Sequence, residues 1–253
     1  MARLDEMIDW LDELLEPQAY ADYCPNGLQL PGPQELSCLV TGVSVGLELF
    51  ERAREAGAGL VLVHHGLFWG SGPQAIDDAT FRRIRLLIES EMALAAYHLP
   101  LDGHPTVGNN ALLAESVGAV DAVPFALHEG MPVGVAASLA GGIARDELVA
   151  RIAEATGGRE PLVFASGPER VERVGFVSGG GSPYLPDAIA AGLDAFVTGE
   201  PAERVMNESA EAGINFIAAG HYATETFGVR RLGELLAERF GVEHRFIDIP
   251  NPI

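Results

Sequence analysis

Short apolar runs alternate along this chain with segments whose apolar residues recur at helical spacing, a pattern that restricts it to parallel strands joined by helical crossovers. Leu60-Val61-Leu62-Val63, Ala95-Ala96-Tyr97-His98-Leu99-Pro100-Leu101 and Ile214-Asn215-Phe216-Ile217-Ala218-Ala219-Gly220 read as buried strands. The opening segment carries Leu4, Met7, Ile8, Leu11, Leu14 and Leu15 on a helical stripe that should stop at Pro17, and Asp22 to Gln29 is polar and turn-rich. Strands are predicted near 38–44, 60–64 and 93–98, with helices near 46–57, 80–91 and 108–117. After Pro124 the pattern restarts near residue 126. Strands follow near 133–139, 171–178, 194–198, 214–219 and 243–248, with helices near 144–156, 184–191, 201–212 and 225–239. At 253 residues the chain exceeds the usual size of one core. The expectation is two α/β domains, 1–125 and 126–253, each a sheet flanked by helices.

Charge narrows the partners. There are 36 acidic residues against 16 basic ones, every basic one is Arg, and the formal charge is -20. Binding to nucleic acid or an anionic membrane needs a basic face, and Arg82-Arg83-Arg85 or Arg230-Arg231 is too small a patch to supply one. An acidic surface without Lys suits a salt-rich cytoplasm and a halophilic source; GC-rich codon bias produces the same composition. Cys24 and Cys38 are too few for a zinc ribbon or a disulfide framework and read as reduced core residues. The first residues are acidic and lack an apolar signal core, so a cytoplasmic protein is expected.

The chemistry-bearing residues cluster where apolar runs end. His64-His65 close one run, Asp102 follows the second, and His221 with Glu225 follow the third. In α/β proteins the carboxyl ends of neighbouring strands meet in one crevice, so these distant residues can converge. Successive side chains on a strand point to opposite faces, and Gly66 is expected to break the strand so that both rings look the same way. Each of these residues alone also has an ordinary structural reading: a core imidazole, a turn aspartate, a helix-capping glutamate. His221 and Glu225 stand i, i+4, sharing a face if one helical turn holds both; alternatively His221 lies in a loop and Thr224 starts the helix, with Glu225 in its first turn. Three histidines and two carboxylates exceed the ligand set of one open zinc site and suit two divalent ions that share a carboxylate. Such donors fit Zn, Fe, Mn, Co or Ni. His98, His104 and Glu200 are candidates for proton transfer, His98 also for an additional ligand, and His104 also for a solvated turn. The turn Ser178-Gly179-Gly180-Gly181-Ser182-Pro183 is either a tight strand-to-helix connection or a phosphate cradle of backbone N–H groups.

These motifs together resemble the Nif-three-like family, whose members also carry the name GTP cyclohydrolase I type 2 homologue. The resemblance rests on Asn26-Gly27-Leu28-Gln29, Val63-His64-His65-Gly66, His98-Leu99-Pro100-Leu101-Asp102 with Gly108-Asn109-Asn110, Thr198-Gly199-Glu200 and Gly220-His221-Tyr222-Ala223-Thr224-Glu225. It implies two α/β domains with a dinuclear metal site in the cleft between them, carried by His64, His65, Asp102, His221 and Glu225. It also implies a ring-like homohexamer, a trimer of dimers, in the short form that lacks an inserted domain. The family's aspartate ahead of the Asn-Gly-Leu-Gln motif is replaced here by Cys24-Pro25. The function expected is a metal-dependent hydrolase of a small, nucleotide-like substrate. A non-catalytic metal-binding or metal-insertion protein and a nucleotide sensor built on the glycine turn are the competing readings.

Overall fold

Val, Leu and Ala fill the strands Cys38–Ser44, Leu60–His65 and Ala93–Ala96, and in the computed structural model, which describes residues 1–70 and 75–253, these strands lie parallel and side by side. Nearly every residue in them is buried, as continuous apolar runs in a sheet covered on both faces should be. Glu243–Phe246 extends this sheet in parallel beside Cys38–Thr41, and Gly27–Leu30 closes the other edge antiparallel to Ala93–Ala96. The helix Leu4–Leu15 buries Met7, Ile8, Leu11 and Leu15; it ends at Glu16, whose left-handed φ of 47° breaks the helix just before Pro17. Val40, Leu49, Phe50, Val61, Val63, Leu87 and Leu94 form the core. This unit comprises Met1–Leu101 and Gly228–Ile249.

The second unit comprises Asp102–Phe227 and Pro250–Ile253. At the centre of its six-stranded sheet Arg170–Val177, Ala195–Thr198 and Asn215–Ala218 run parallel, and Leu162–Ala165 lies antiparallel beside Asn215–Ala218. On the other side a hairpin of Val120–His128 and Met131–Ala144 is attached. Its two-residue turn, Glu129 at φ 47° and Gly130 at φ 91°, has the doubly left-handed backbone that matches strand twist. Leu113, Val135, Leu148, Ile152, Val174, Phe176, Val197 and Ile217 make its core.

The units divide the chain differently from the sequence expectation of 1–125 and 126–253. Pro124 does not mark a boundary: it pairs with Val135 on an edge strand, where a residue without an N–H is tolerated. The helix Thr226–Phe240 and the strand Glu243–Phe246 return to the first sheet, through a pairing more than local sequence carries. Gly27–Leu30 is a strand inside the stretch read as turn, and Leu162–Ala165 is a strand with no counterpart in the sequence reading. Among the described residues no helix is long and apolar enough to cross a membrane.

Candidate metal centre

In the first unit the imidazoles sit at the carboxyl ends of neighbouring parallel strands. His64 and His65 end Leu60–His65, and His98 follows Ala93–Ala96. The ring centroids of His64 and His65 are 4.7 Å apart, those of His64 and His98 4.9 Å, and the three offer ligand nitrogens within 4.8 Å of one another. Gly66 serves a different purpose from the expected break. The strand does stop at His65, but a Cβ at Gly66 would overlap the Gln29 amide, which accepts from Leu67 N at 2.7 Å and donates to the Pro25 carbonyl at 2.7 Å.

The Nδ1 atom of each ring is engaged. His64 Nδ1 donates to the Tyr97 carbonyl at 2.9 Å, and His98 Nδ1 donates to Asp22 Oδ1 at 2.9 Å. His65 Nδ1 pairs with the Ser44 hydroxyl at 2.8 Å. An imidazole whose Nδ1 is a donor has its lone pair on Nε2, the arrangement that a metal-binding histidine needs. Asp22 also accepts from the backbone N–H groups of Cys24 and Leu99 and from Asn26, while Asn26 in turn accepts from His98 N. Burial opposes ionisation of Asp22, but the His98 contact and these donors prevail and hold its carboxyl at about 2. Asp22 is thus the acid that braces this loop against His98.

In the second unit the groups follow the three central parallel strands. Ser178 and Gly179 succeed Arg170–Val177, Glu200 succeeds Ala195–Thr198, and His221 succeeds Asn215–Ala218. Neither half of the helical expectation for His221 and Glu225 holds in full. A short turn His221–Thr224 precedes the helix Thr226–Phe240, and Glu225 occupies the joint between them. The i, i+4 pair still meets, His221 Nε2 lying 3.3 Å from Glu225 Oε2. His221 Nδ1 donates to Glu200 in a short hydrogen bond. Burial alone would lower the His221 imidazole; the hydrogen bonds and charges of Glu225 and Glu200 raise it to about 9.

Asp102 and Glu225 are 7% and 3% exposed, and their oxygens lie within 4.8 Å of each other. Burying carboxylates demands compensating donors. Asp102 Oδ1 accepts from Asn109 Nδ2 and Ser178 Oγ, each at 2.9 Å. Asn110 ties the same region together by donating to the Asp102 and Val133 carbonyls and accepting from Ser178 N. Gly179, the first glycine of the turn, is a packing device. A Cβ on Gly179, at φ 58°, would overlap Glu225 Oε1 and come within 3.1 Å of His221 Nε2, and its N–H is donated to Thr224 Oγ1 at 3.0 Å rather than held for a phosphate.

His104 stands apart in role. Its Nδ1 accepts from the backbone of Thr106 at 3.2 Å and Val107 at 3.1 Å, holding a turn. Sequence reasoning passed over Asp22, Asn26, Ser44 and Asn109 as functional supports. The detectable signal for two of them was an acid and an amide four positions apart just ahead of Gly27-Leu28-Gln29. Imidazoles in one unit and carboxylates plus imidazole in the other are donors that divalent transition ions accept.

A model of the Duf34/NIF3 (NGG1p interacting factor 3) family matches residues 2–252. A Vibrio cholerae protein is 45% identical over 247 residues, 96% of each chain, and a Pseudomonas aeruginosa protein is 41% identical over 249 residues, 98% of each. Both are named GTP cyclohydrolase 1 type 2 homolog. Among solved structures, protein ybgI superposes with a TM-score of 0.92 at 38% identity, covering 99% of this chain and 100% of that one. TTHA1606 from Thermus thermophilus does so with a TM-score of 0.88 at 38% identity, with the same coverage.

Proposed function

The chain belongs to the Duf34/NIF3 family, and from that premise we propose that it is a divalent-metal-dependent hydrolase of a small, nucleotide-like substrate. The observation that carries this reading is the common state of its imidazoles. His64, His98 and His221 each donate from Nδ1 to a carbonyl or carboxylate, which assigns the ligand role to Nε2, the atom that in His221 lies against Glu225. In this reading His64, His65, Asp102, His221 and Glu225 would be the residues that hold two divalent ions. When bound, such ions supply Lewis acidity for a substrate oxygen and acidify water toward neutral pH.

The remaining residues set the stage for that chemistry. Asp22 orients the ring of His98 through Nδ1, and Glu200 orients His221 in the same way while favouring the charged form of that ring. Ser178 and Asn109 saturate one oxygen of Asp102, directing the other toward a ligand. Because Glu225 and Glu200 raise His221 to about 9, its ring carries a proton at neutral pH that it would have to release in order to hold a cation. His98 is kept as a proton-transfer group or additional ligand. His104 holds its turn and takes no part in the reading. The names of the relatives make a purine nucleotide the first substrate to try.

Metal content per subunit, measured by plasma mass spectrometry on untagged protein, tests the proposal in wild type, His64→Ala and Glu225→Ala. About two ions in wild type, falling in both folded variants, is the expected result for a dinuclear site. Turnover of a nucleotide that disappears in Glu225→Ala then establishes the hydrolase. Tight metal exchange without any turnover would instead make the protein a metal carrier, and no retained metal after reconstitution would sink both readings.

A further inference from the structure

We infer that Tyr23 and Trp69 form a stacking platform for a planar heteroaromatic ring, set against the imidazoles of the first unit. The inference rests on the reading of that group as a reaction centre, and it names what part of the substrate the protein recognises. The ring centroids of Tyr23 and Trp69 are each 5.2 Å from that of His98, both edge-on, and 5.7 Å from one another. Trp69 is also 5.7 Å from His65. Yet Tyr23 leaves 53% of its surface in water, although His64 and His98 beside it are buried. A large ring kept at the mouth of a buried polar cluster offers apolar area to a ligand at little entropic cost.

The segments that carry the two rings are tied together through the backbone. Gly70 N donates to the Tyr23 carbonyl at 2.6 Å, joining the two segments. Trp69 Nε1 donates to the Gly66 carbonyl at 3.1 Å, so the indole contributes a ring surface to recognition, its N–H being spent on the backbone. Tyr23 sits between Asp22 and Asn26, which take the backbone N–H groups of Leu99 and His98 respectively. The loop that carries Tyr23 is therefore the loop that braces His98, and a ring resting on it is referenced to the ligand nitrogen. Charge points the same way. With a formal charge of -20 the chain offers an anionic substrate no long-range attraction, which shifts the burden of binding to the uncharged ring.

Trp10 packs against Phe240 and Arg239, so Trp10→Phe leaves Trp69 as the reporter of the two tryptophans. In that metal-loaded, full-length variant, guanosine and GTP should quench the indole emission saturably, and ribose 5-phosphate should not. Tyr23→Leu should weaken guanosine at least about tenfold, the usual scale for one stacked ring, with metal content and circular dichroism unchanged. Tyr23→Phe should restore it, since the ring and not the hydroxyl is at work. Trp69→Leu, followed by calorimetry, gives the same weakening should Tyr23→Leu fail to fold. No quenching by guanosine, equal quenching by ribose 5-phosphate, or unchanged affinity in both leucine variants would overturn the platform. Saturable quenching without turnover would keep the platform and sink the hydrolase, whereas turnover of ring-free substrates without quenching would sink the platform alone.

Discussion

The two units build candidate ligand groups from opposite materials. The first gathers three imidazoles, which can be buried as neutral rings and need only an acceptor at Nδ1. The second gathers Asp102 and Glu225, whose burial requires donors, and accordingly invests a serine, an asparagine and a histidine around them. Glycine is used in both, against different obstacles. Gly66 makes room for a flexible side-chain amide, while Gly179 brings the backbone itself against a carboxylate at positive φ. The imidazole group thus needs few partners and is easy to perturb, whereas the carboxylate group depends on a network in which each member is constrained.

The glycines give the sharpest contrast. Gly179→Ala should lose roughly 3–4 kcal/mol in denaturant unfolding and bind less metal, because both the backbone and Glu225 resist the new methyl. Gly66→Ala should lose about 1–2 kcal/mol, partly recovered by adding Gln29→Ala, since the Gln29 amide can move away. Equal losses would erase the distinction between the units.

Next in size are the supports of the ligands. Asp22→Asn in the first unit, and Ser178→Ala or Glu200→Gln in the second, should each weaken metal binding by about 10–100-fold without removing a ligand. Competition titration against a chromophoric chelator reads this, and an unchanged affinity would leave these residues as scaffold.

In metal-free protein the two groups should fail at opposite ends of the pH scale. Asp22 is held below its ordinary value of 3.8, so its contribution is present above that value and disappears as pH falls through about 2. The stability gap between wild type and Asp22→Asn should shrink by up to roughly 2 kcal/mol over that range. His221 is raised from 6.5 to about 9, so its contribution is complete below the lower value and is lost as pH rises through the upper. The gap between wild type and His221→Asn should close in alkali. A gap for either residue that does not vary with pH would show that the partner contacts do not bias its proton.

The smallest effect is a probe of the first unit alone, where both cysteines lie. Burial pushes the Cys24 thiol up from 9.0 to about 11, which leaves about a hundredfold fewer thiolates near pH 8. Iodoacetamide labelling should be slow in wild type and quicker in Gly66→Ala, which disturbs the neighbouring Gln29, but not in Gly179→Ala. Acceleration in both would mean that damage in one unit is felt by the other.

Much of this was legible in the residues themselves. The runs ending in His64-His65 and in Ile214 to Gly220 are parallel central strands, since burial on both faces selects continuous apolar stretches. Ligand candidates were visible because such strands end where α/β proteins place their sites. The supports were less so: Asp22 lies 76 residues from His98, as Asp102 does from Ser178, and no local periodicity links them.

The sequence by itself determined the family, the α/β class, the strand ends that carry histidine, and a charge that disfavours polyanionic partners. Only the tertiary structure decided that Pro124 lies inside an edge strand, that Glu243–Phe246 completes the first sheet, and that Gly179 is required by Glu225. It also decided which acceptors meet Nδ1 of His64, His98 and His221 across the fold. The reason is common to all of these. Periodicity records whether a residue meets core or water, whereas strand partners, close approaches and proton positions depend on which distant atoms arrive beside it.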